Sequence, residues 1–335
     1  FNLEADDAER FSNLAWELFG RYIANNEHLE YVGLSNCDLT DSIMPLLFRG
    51  LSGGIKVKNL DLNVNDFGID GIRSMVPFLK NARNLTELSL DYNRNVNTAC
   101  FKLLVEALHV GGTIEELQLS HCSIEDITAL EQHPLPHLRY LSLSGNNIQS
   151  LPSLESSCTN LERLYLNNNK IGREGCRSIA KLLQKEGSRL RYLDLIATDM
   201  GDDEVELLID SLKYNTSLTY LELRRNRITE KGFRAFLKLL GDVSSIDSTY
   251  SSNHTLRNLH LPDTSDATLL EIKNYIHAAL SSSGREKVID TQFNSNTRMA
   301  LCRLQCIDYS HGSIFAEIEP VVLPEVLALV GERLG

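Results

Sequence analysis

The chain carries one tryptophan, eight prolines and seven scattered cysteines among its 335 residues. Nowhere do about 18 apolar residues run together, so no segment reads as a membrane span. Basic residues are in deficit: 33 Lys and Arg stand against 45 Asp and Glu, a net charge of −12. That balance argues against nonspecific nucleic-acid binding, which needs a basic surface. The cysteines form no amino-terminal cluster of the kind that caps secreted repeats, and a reducing, cytoplasmic compartment fits them. Sequons at Asn84, Asn215 and Asn253 point the other way, but a chain rich in Asn, Ser and Thr yields a few by chance. No signal peptide is visible; Phe1 in place of Met reads as a non-native start, which would hide one.

Motifs of chemistry are also missing. There is no H-E-x-x-H, no Walker loop and no G-x-G-x-x-G. Gly50-Leu51-Ser52-Gly53-Gly54 matches G-x-S-x-G in letters only. A nucleophile elbow needs a strand before its serine and a helix after it. Here a helix-like segment precedes and the strand Val57–Leu62 follows, so the reading is a helix-to-strand turn. Cys302 and Cys306 share one face of the helix expected near His311, but zinc wants four ligands and a tighter C-x-x-C spacing. Packed thiols are expected there. His133 and His137 are four apart, yet Pro134 and Pro136 rule out a common helix face. No catalytic residue, cofactor or metal site emerges, and the expectation is a protein that is not an enzyme.

What the chain does have is a repeat. The pattern L-x-x-L-x-L-x-x-N-x-[LIF] returns nine times, starting at Leu29, Val57, Leu85, Ile114, Leu138, Leu161, Leu190, Leu218 and Leu256. The cleanest copy is Leu161, Leu164, Leu166, Asn169, Ile171. Its L-x-L core has period two, which predicts a short strand with one buried face. One unit cannot bury its leucines alone; stacked neighbours bury them together. The ninth position is Asn65, Asn93, Asn146, Asn169 and Asn226, where an amide can satisfy backbone groups that turn inward as the strand ends. Cys37, Cys122, Thr198 and Thr264 take that place elsewhere, and structural roles are expected for both thiols.

Most units run 28 or 29 residues, enough for an outer helix. The stretches Asp70–Lys80, Thr98–His109, Arg173–Gln184, Asp202–Lys213 and Glu230–Leu240 carry apolar residues at i, i+3, i+4 and i+7. The units beginning at Ile114 and Leu138 span only 24 and 23 residues. Pro136 and Pro152 interrupt their outer segments, so no full helix is expected there. With Asn65-x-Phe67-Gly68-x-x-Gly71 and Asn169-x-Ile171-Gly172-x-x-Gly175 leading into helices, the chain resembles the ribonuclease-inhibitor-like subclass of leucine-rich repeats. The resemblance implies an α/β solenoid, a curved horseshoe with parallel strands on the concave face and mostly helices on the convex face. "SIDSTYSSNHTL", "ALCRLQ" and "LPEVLALVGERLG" further resemble leucine-rich-repeat families of microalgae. That likeness implies an intracellular interaction protein whose chain continues past Gly335.

Three segments follow: a helical flank or partial repeat over 1–28, the solenoid over 29–265, and a helical carboxy-terminal cap over 266–335. In the flank, Phe11, Leu14, Leu18 and Tyr22 form one apolar stripe, and Trp16, Phe19 and Ile23 a second. In the cap, Leu269, Ile272, Ile276 and Leu280 mark a helix, a second is expected over Thr297–Ile307, and a third from Pro324. The unit beginning at Leu218 is 38 residues long. Its extra length, Val243 to Asn253, reads as a polar solvated loop, and such loops are also where binding function sits.

Function then becomes a question of surface. Residues between the leucines face the concave side, and nine strands at about 4.8 Å give an arc of roughly 38 Å. That is room for a standard interface of about 800 Å² per partner. The candidate binding residues are Tyr140, Arg163, Tyr165, Tyr192, Asp194, Tyr220, Glu222, Arg224 and Arg225. Tyr and Arg are enriched in binding hot spots, although tyrosine also has high strand propensity. Salt bridges from Arg224 and Arg225 to Asp194 and Glu222 are the competing use of those arginines. The leading expectation is a protein partner on this face, with no nucleic acid and no membrane span. The alternatives are the sensor or substrate-receptor part of a larger protein, and an activator of small GTPases.

Overall fold

In the computed structural model, residues 1–3, 11–51, 56–282, 287, 297, 301, 304 and 305 are described. The chain divides into two compact units, Phe1–Thr198 and Asp199–Gly335. Both are built from the same strand-and-helix repeat.

The first unit contains seven three-residue strands: β1 (Tyr31–Gly33), β2 (Asn59–Asp61), β3 (Glu87–Ser89), β4 (Glu116–Gln118), β5 (Tyr140–Ser142), β6 (Arg163–Tyr165) and β7 (Tyr192–Asp194). They pair in chain order, all parallel. The central residue of each strand is an apolar residue turned into the core, as Leu117, Leu141, Leu164 and Leu193, all 0 % exposed, illustrate. Residues 1–3 extend the sheet, with Leu3 N donating to Gly33 O at 2.9 Å and Gly33 N to Phe1 O at 2.8 Å.

The amide ladder works as expected. Asn65 Nδ2 donates to Leu34 O and Leu62 O, both at 2.9 Å, and its Oδ1 accepts from Cys37 N and Leu39 N at 3.1 and 3.0 Å. Asn146 and Asn169 repeat the two donor bonds, and their Oδ1 atoms accept from Ile124 N and Ile148 N, each at 3.0 Å. Where cysteine replaces asparagine the thiol donates instead: Cys37 Sγ to Leu3 O and Cys122 Sγ to Leu90 O, each at 3.5 Å. Thr198 Oγ1 donates to Leu195 O at 2.8 Å.

One device was invisible in the sequence. The residue just before the amide position adopts positive φ in unit after unit: Asn36, Val64, Tyr92, His121, Gly145 and Asn168. Only one of these is glycine. A left-handed residue costs roughly 1–2 kcal/mol for a side chain with Cβ. The turn is held because each of these N–H groups reaches the next unit, Val64 N to Asp91 O and Tyr92 N to Ser120 O at 2.8 Å.

The outer segments match the lengths of their units. Helices α1 (Asn13–Asn25), α2 (Met44–Gly50), α3 (Ile69–Asn81), α4 (Thr98–Gly111) and α7 (Arg173–Gln184) fill the long ones. The two short units hold only single turns, α5 (Ala129–Gln132) and α6 (Leu154–Ser157). Asn97 caps α4 through Ala99 N and Cys100 N. Asp41, from the preceding unit, caps α3 by accepting from Gly68 N and Gly71 N at 2.7 Å. A Cβ at Gly71 would sit 2.7 Å from Phe67 Cβ, so the helix start can press on the strand-end loop only with glycine there. On α1 the second apolar stripe is the buried one: Trp16 is 2 % and Ile23 1 % exposed, while Leu14, Leu18 and Tyr22 face outward. Residues 4–10 of the flank and 52–55 of the G-x-S-x-G turn lie outside the described residues.

The second unit holds α8 (Asp202–Leu212), β8 (Tyr220–Glu222), α9 (Glu230–Gly241), α10 (Ile246–Tyr250), β9 (Asn258–His260) and α11 (Ala267–Ser281). Strands β8 and β9 pair in parallel. Asp202 repeats the capping role of Asp41, accepting from Thr229 N and Gly232 N at 2.9 and 3.1 Å. Asn226 Nδ2 donates to Leu223 O at 3.0 Å. Thr264 breaks the pattern: its hydroxyl accepts from Asp266 N, the residue that caps α11. Helix α11 buries Ile272, Ile276 and Leu280 against the last repeat. Of the second cap helix, Thr297, Leu301 and Leu304 are helical and both leucines are buried. Cys302, Cys306, His311 and the helix from Pro324 lie outside the described residues.

The insertion from Val243 to Asn253 corrects an expectation. It is not a solvated loop. Ser245 caps α10 by accepting from Ser248 N at 3.0 Å. Thr249 is 0 % exposed, its hydroxyl 2.5 Å from Asp242 O. Asn253 Nδ2 donates to Leu212 O at 2.7 Å and its N–H to Leu239 O at 2.9 Å. Side-chain hydrogen bonds give this polar stretch a fold that hydrophobic periodicity does not announce.

Candidate protein-binding face

The strand register sets the open face of the first unit. One column runs Tyr31, Asn59, Glu87, Glu116, Tyr140, Arg163, Tyr192, and the next Gly33, Asp61, Ser89, Gln118, Ser142, Tyr165, Asp194. Both columns are those expected from the repeat, because one residue of slip would turn every leucine out of the core.

Over β5–β7 the face is aromatic. Tyr140, Tyr165 and Tyr192 are half-buried and zigzag between the two columns. Ring centroids of Tyr140 and Tyr165 are 5.1 Å apart, and those of Tyr165 and Tyr192 4.8 Å at an interplanar angle of 30°. These separations match the strand spacing of about 4.8 Å, so the backbone itself stacks the rings. Burial, with the neighbouring Tyr165 adding to it, pushes the Tyr140 phenol up to about 12. Tyr165 is raised too, chiefly by burial. Both phenols stay protonated at neutral pH and can donate a hydrogen bond. Arg163 stands in the column between Tyr140 and Tyr192. Its guanidinium is exposed and forms no ion pair among the described residues.

Over β2–β4 the same face is polar and mutually bonded. Glu87 accepts from Asn59 Nδ2 and, at 3.3 Å, from Gln118 Nε2. Burial raises its carboxyl above the usual value and the nearby Glu116 adds to the rise. Asp91, also raised by burial, accepts from Ser120 N at 2.5 Å. Tyr31 donates to Asp61 at 3.4 Å. At the strand ends, Tyr92 stacks on His121 with centroids 4.4 Å apart and planes 13° from parallel. The sequence did not single out that pair. Its signal is positional: both residues occupy the left-handed position of consecutive units.

Asp194, the last candidate of the first unit, is 7 % exposed and accepts from Ile196 N at 3.0 Å. In the second unit Tyr220 is half-buried, its ring 5.2 Å from His260. Glu222 is 1 % exposed and holds Arg224 in a two-pronged pair, 2.8 Å from Nε and 3.0 Å from Nη2. Arg225 has φ 58°, is exposed and forms no ion pair among the described residues. The two arginines therefore divide: Arg224 is bound into the fold, and Arg225 points outward.

Among the described residues no three His, Cys, Asp or Glu side chains are placed to hold a metal ion. Cys37, Cys100, Cys122, Cys158 and Cys176 are buried free thiols. Burial lifts Cys37 to about 11 and Cys122 and Cys158 to about 12, so these sulfurs are poor nucleophiles at neutral pH. No described helix is long and apolar enough to cross a membrane.

This architecture defines a leucine-rich-repeat protein, and the family comparisons agree. "Leucine Rich repeats (2 copies)" matches residues 136–181 and "Leucine Rich repeat" matches 214–237. More narrowly, the long units with full outer helices resemble the ribonuclease-inhibitor-like type. The chain is 26 % identical to the ribonuclease inhibitor of Mus musculus over 63 % of this chain and 49 % of that protein. It is 28 % identical to NACHT, LRR and PYD domains-containing protein 3 of Rattus norvegicus over 60 % of this chain and 20 % of that one. It is 26 % identical to the Rho GTPase-activating protein gacW of Dictyostelium discoideum over 73 % of this chain and 21 % of that one. The matches thus span a fifth to a half of these relatives' lengths.

Proposed function

We propose that the chain is a non-enzymatic scaffold that binds a partner protein on the open sheet face of its first unit, over β5–β7. The observation that carries this reading is the stack of Tyr140, Tyr165 and Tyr192 around an exposed Arg163 that forms no ion pair among the described residues. Tyrosine rings fixed by the backbone lose little entropy on contact, and Tyr and Arg dominate hot spots. Asp194, Glu222 and Arg224 support the fold of their faces, while Tyr220 and Arg225 offer contacts in the second unit. Buried free thiols fit a reducing compartment such as the cytoplasm.

The test is affinity purification from native lysate beside a Tyr165→Ala/Tyr192→Ala variant of matched melting temperature. A partner recovered by the wild type and lost by the variant supports the face. Identical partner sets for both overturn it.

A second reading is the recognition segment of a larger protein. Its support is the short share, about a fifth, that the match takes of the NACHT-domain and GTPase-activating relatives. The full open reading frame decides it. Activation of small GTPases is tested by GTP hydrolysis across a panel of them, and unchanged rates exclude it.

A further inference from the structure

The charges beside the tyrosine stack describe the partner. Along one column of the face the order is Glu116, Tyr140, Arg163, Tyr192, one residue per strand from β4 to β7. Glu116 and Arg163 are exposed, and neither forms an ion pair among the described residues. Two strand intervals separate them, roughly 9.6 Å at about 4.8 Å each, with Tyr140 between. Tyr140 senses both: burial raises its phenol most, Tyr165, Asp91 and Glu116 raise it further, and Arg163 lowers it. On the far side of Glu116 stands Glu87, a second carboxylate, raised by burial and then by Glu116. In the column beside Arg163, Asp194 is buried and accepts from Ile196 N at 3.0 Å. The face therefore offers a negative site over β4 and a positive one over β6, with a phenol ring between them.

Given the binding face proposed over β5–β7, on which this reading depends, we infer that the partner presents an α-helix laid across the strands. Its face carries Asp or Glu at position i over Arg163, an apolar side chain at i+3 or i+4 over Tyr140, and Lys or Arg at i+7 over Glu116. The apolar contact with the rings supplies most of the affinity. The two charges fix register and direction, as charges across an interface commonly do. An acid toward the amino end of the helix and a base toward its carboxy end also suit the helix dipole.

Spacing selects a helix over an extended chain. Helical residues i and i+7 lie about 10.5 Å apart on one face, with i+3 and i+4 about midway. That is within about 1 Å of the two strand intervals between Arg163 and Glu116. An extended chain shows same-side residues at about 6.8 and 13.6 Å, which fall on either side of the second charge. Addition of a partner strand is closed as well, because β4, β5 and β6 are already paired on both sides.

The test displays a single-helix scaffold on phage, randomised along one face, and selects it on the full chain. The expected winners carry Asp or Glu at i, an apolar residue at i+3 or i+4, and Lys or Arg at i+7. A synthetic peptide of that sequence should bind at least about tenfold more weakly to Glu116→Lys and to Arg163→Glu. A peptide with its two charges exchanged should bind Glu116→Lys/Arg163→Glu about as tightly as the original pair. Glu116→Gln and Arg163→Gln, which should weaken the peptide in the same direction, serve if a reversal lowers the melting temperature. Peptides lost on Tyr165→Ala/Tyr192→Ala but indifferent to both charge reversals would overturn the helix register and leave the binding face standing. Winners without the charge pattern, or no enrichment of helices, would overturn it too, while the lysate experiment still decides the face on its own.

Discussion

The open face of the first unit is two surfaces on one backbone. Over β1–β4 the side chains bond to each other: Asn59 and Gln118 to Glu87, Tyr31 to Asp61. Over β5–β7 three tyrosines stack and Arg163 forms no ion pair among the described residues. The strands have the same length, register and buried central leucines in both halves. The comparison teaches that the repeat fixes where a side chain goes, and the variable positions decide whether it is used internally or left for another molecule.

The frame itself should be indifferent to which half is struck. Leu88→Ala and Leu164→Ala, both at 0 % exposure, should each cost about 2–5 kcal/mol, the range for a buried leucine truncated to a cavity. Urea midpoints of the two variants check this; a large gap between them would break the claim of equivalent frames. The amide ladder offers a finer cut. Asn65 Oδ1 accepts two backbone N–H groups, whereas Asn93 Oδ1 is buried with no partner. Asn65→Ala should therefore destabilise more than Asn93→Ala, by roughly 1–3 kcal/mol for backbone donors left unsatisfied. Equal midpoints would show that the acceptor side of the ladder adds nothing.

On the faces the order of effects reverses. Tyr165→Ala should change stability less than Leu164→Ala does and weaken partner binding by about thirtyfold, a hot-spot loss near 2 kcal/mol. Gln118→Ala, in the self-bonded half, should leave binding unchanged. Titration calorimetry with the recovered partner measures both. In the second unit, Arg224→Ala should lower the melting temperature because Glu222 stays buried behind it, while Arg225→Ala should not.

The smallest expected effect is pH-dependent. The Glu87 carboxyl is raised in the folded protein, first by burial and then by Glu116. A carboxyl that holds its proton more tightly when folded opposes folding once the unfolded chain has ionised. Its contribution is therefore lost as pH rises from the ordinary value of 4.5 through the raised folded one. Glu87→Gln should raise the melting temperature slightly at pH 7, and that gain should vanish below about pH 4. An equal gain at both pH values would assign it to hydrogen bonding instead.

Most of the fold was legible because period and spacing are local properties. The L-x-L cores gave every strand, apolar positions at helical spacing gave α3, α4, α7, α8 and α9, and the short units told where helices shrink to single turns. The face columns followed from the register. The choice of stripe on α1 was not legible, since Leu14 and Trp16 look alike until neighbours select Trp16. Neither was the insertion, whose order comes from side-chain bonds that hydrophobic periodicity does not register: Thr249 to Asp242 O, and Asn253 to Leu212 O, 41 positions away.

By itself, then, the sequence determined the repeat, the parallel strand order and the list of residues on the open face, because each follows from a period that every unit shares. Only the tertiary structure decided which of those residues are spent inside the fold. Glu222 clasps Arg224, Asp194 bonds its own loop, and Tyr92 lies on His121. Those outcomes depend on distances between side chains on the same or neighbouring turns, and no one-dimensional period encodes them.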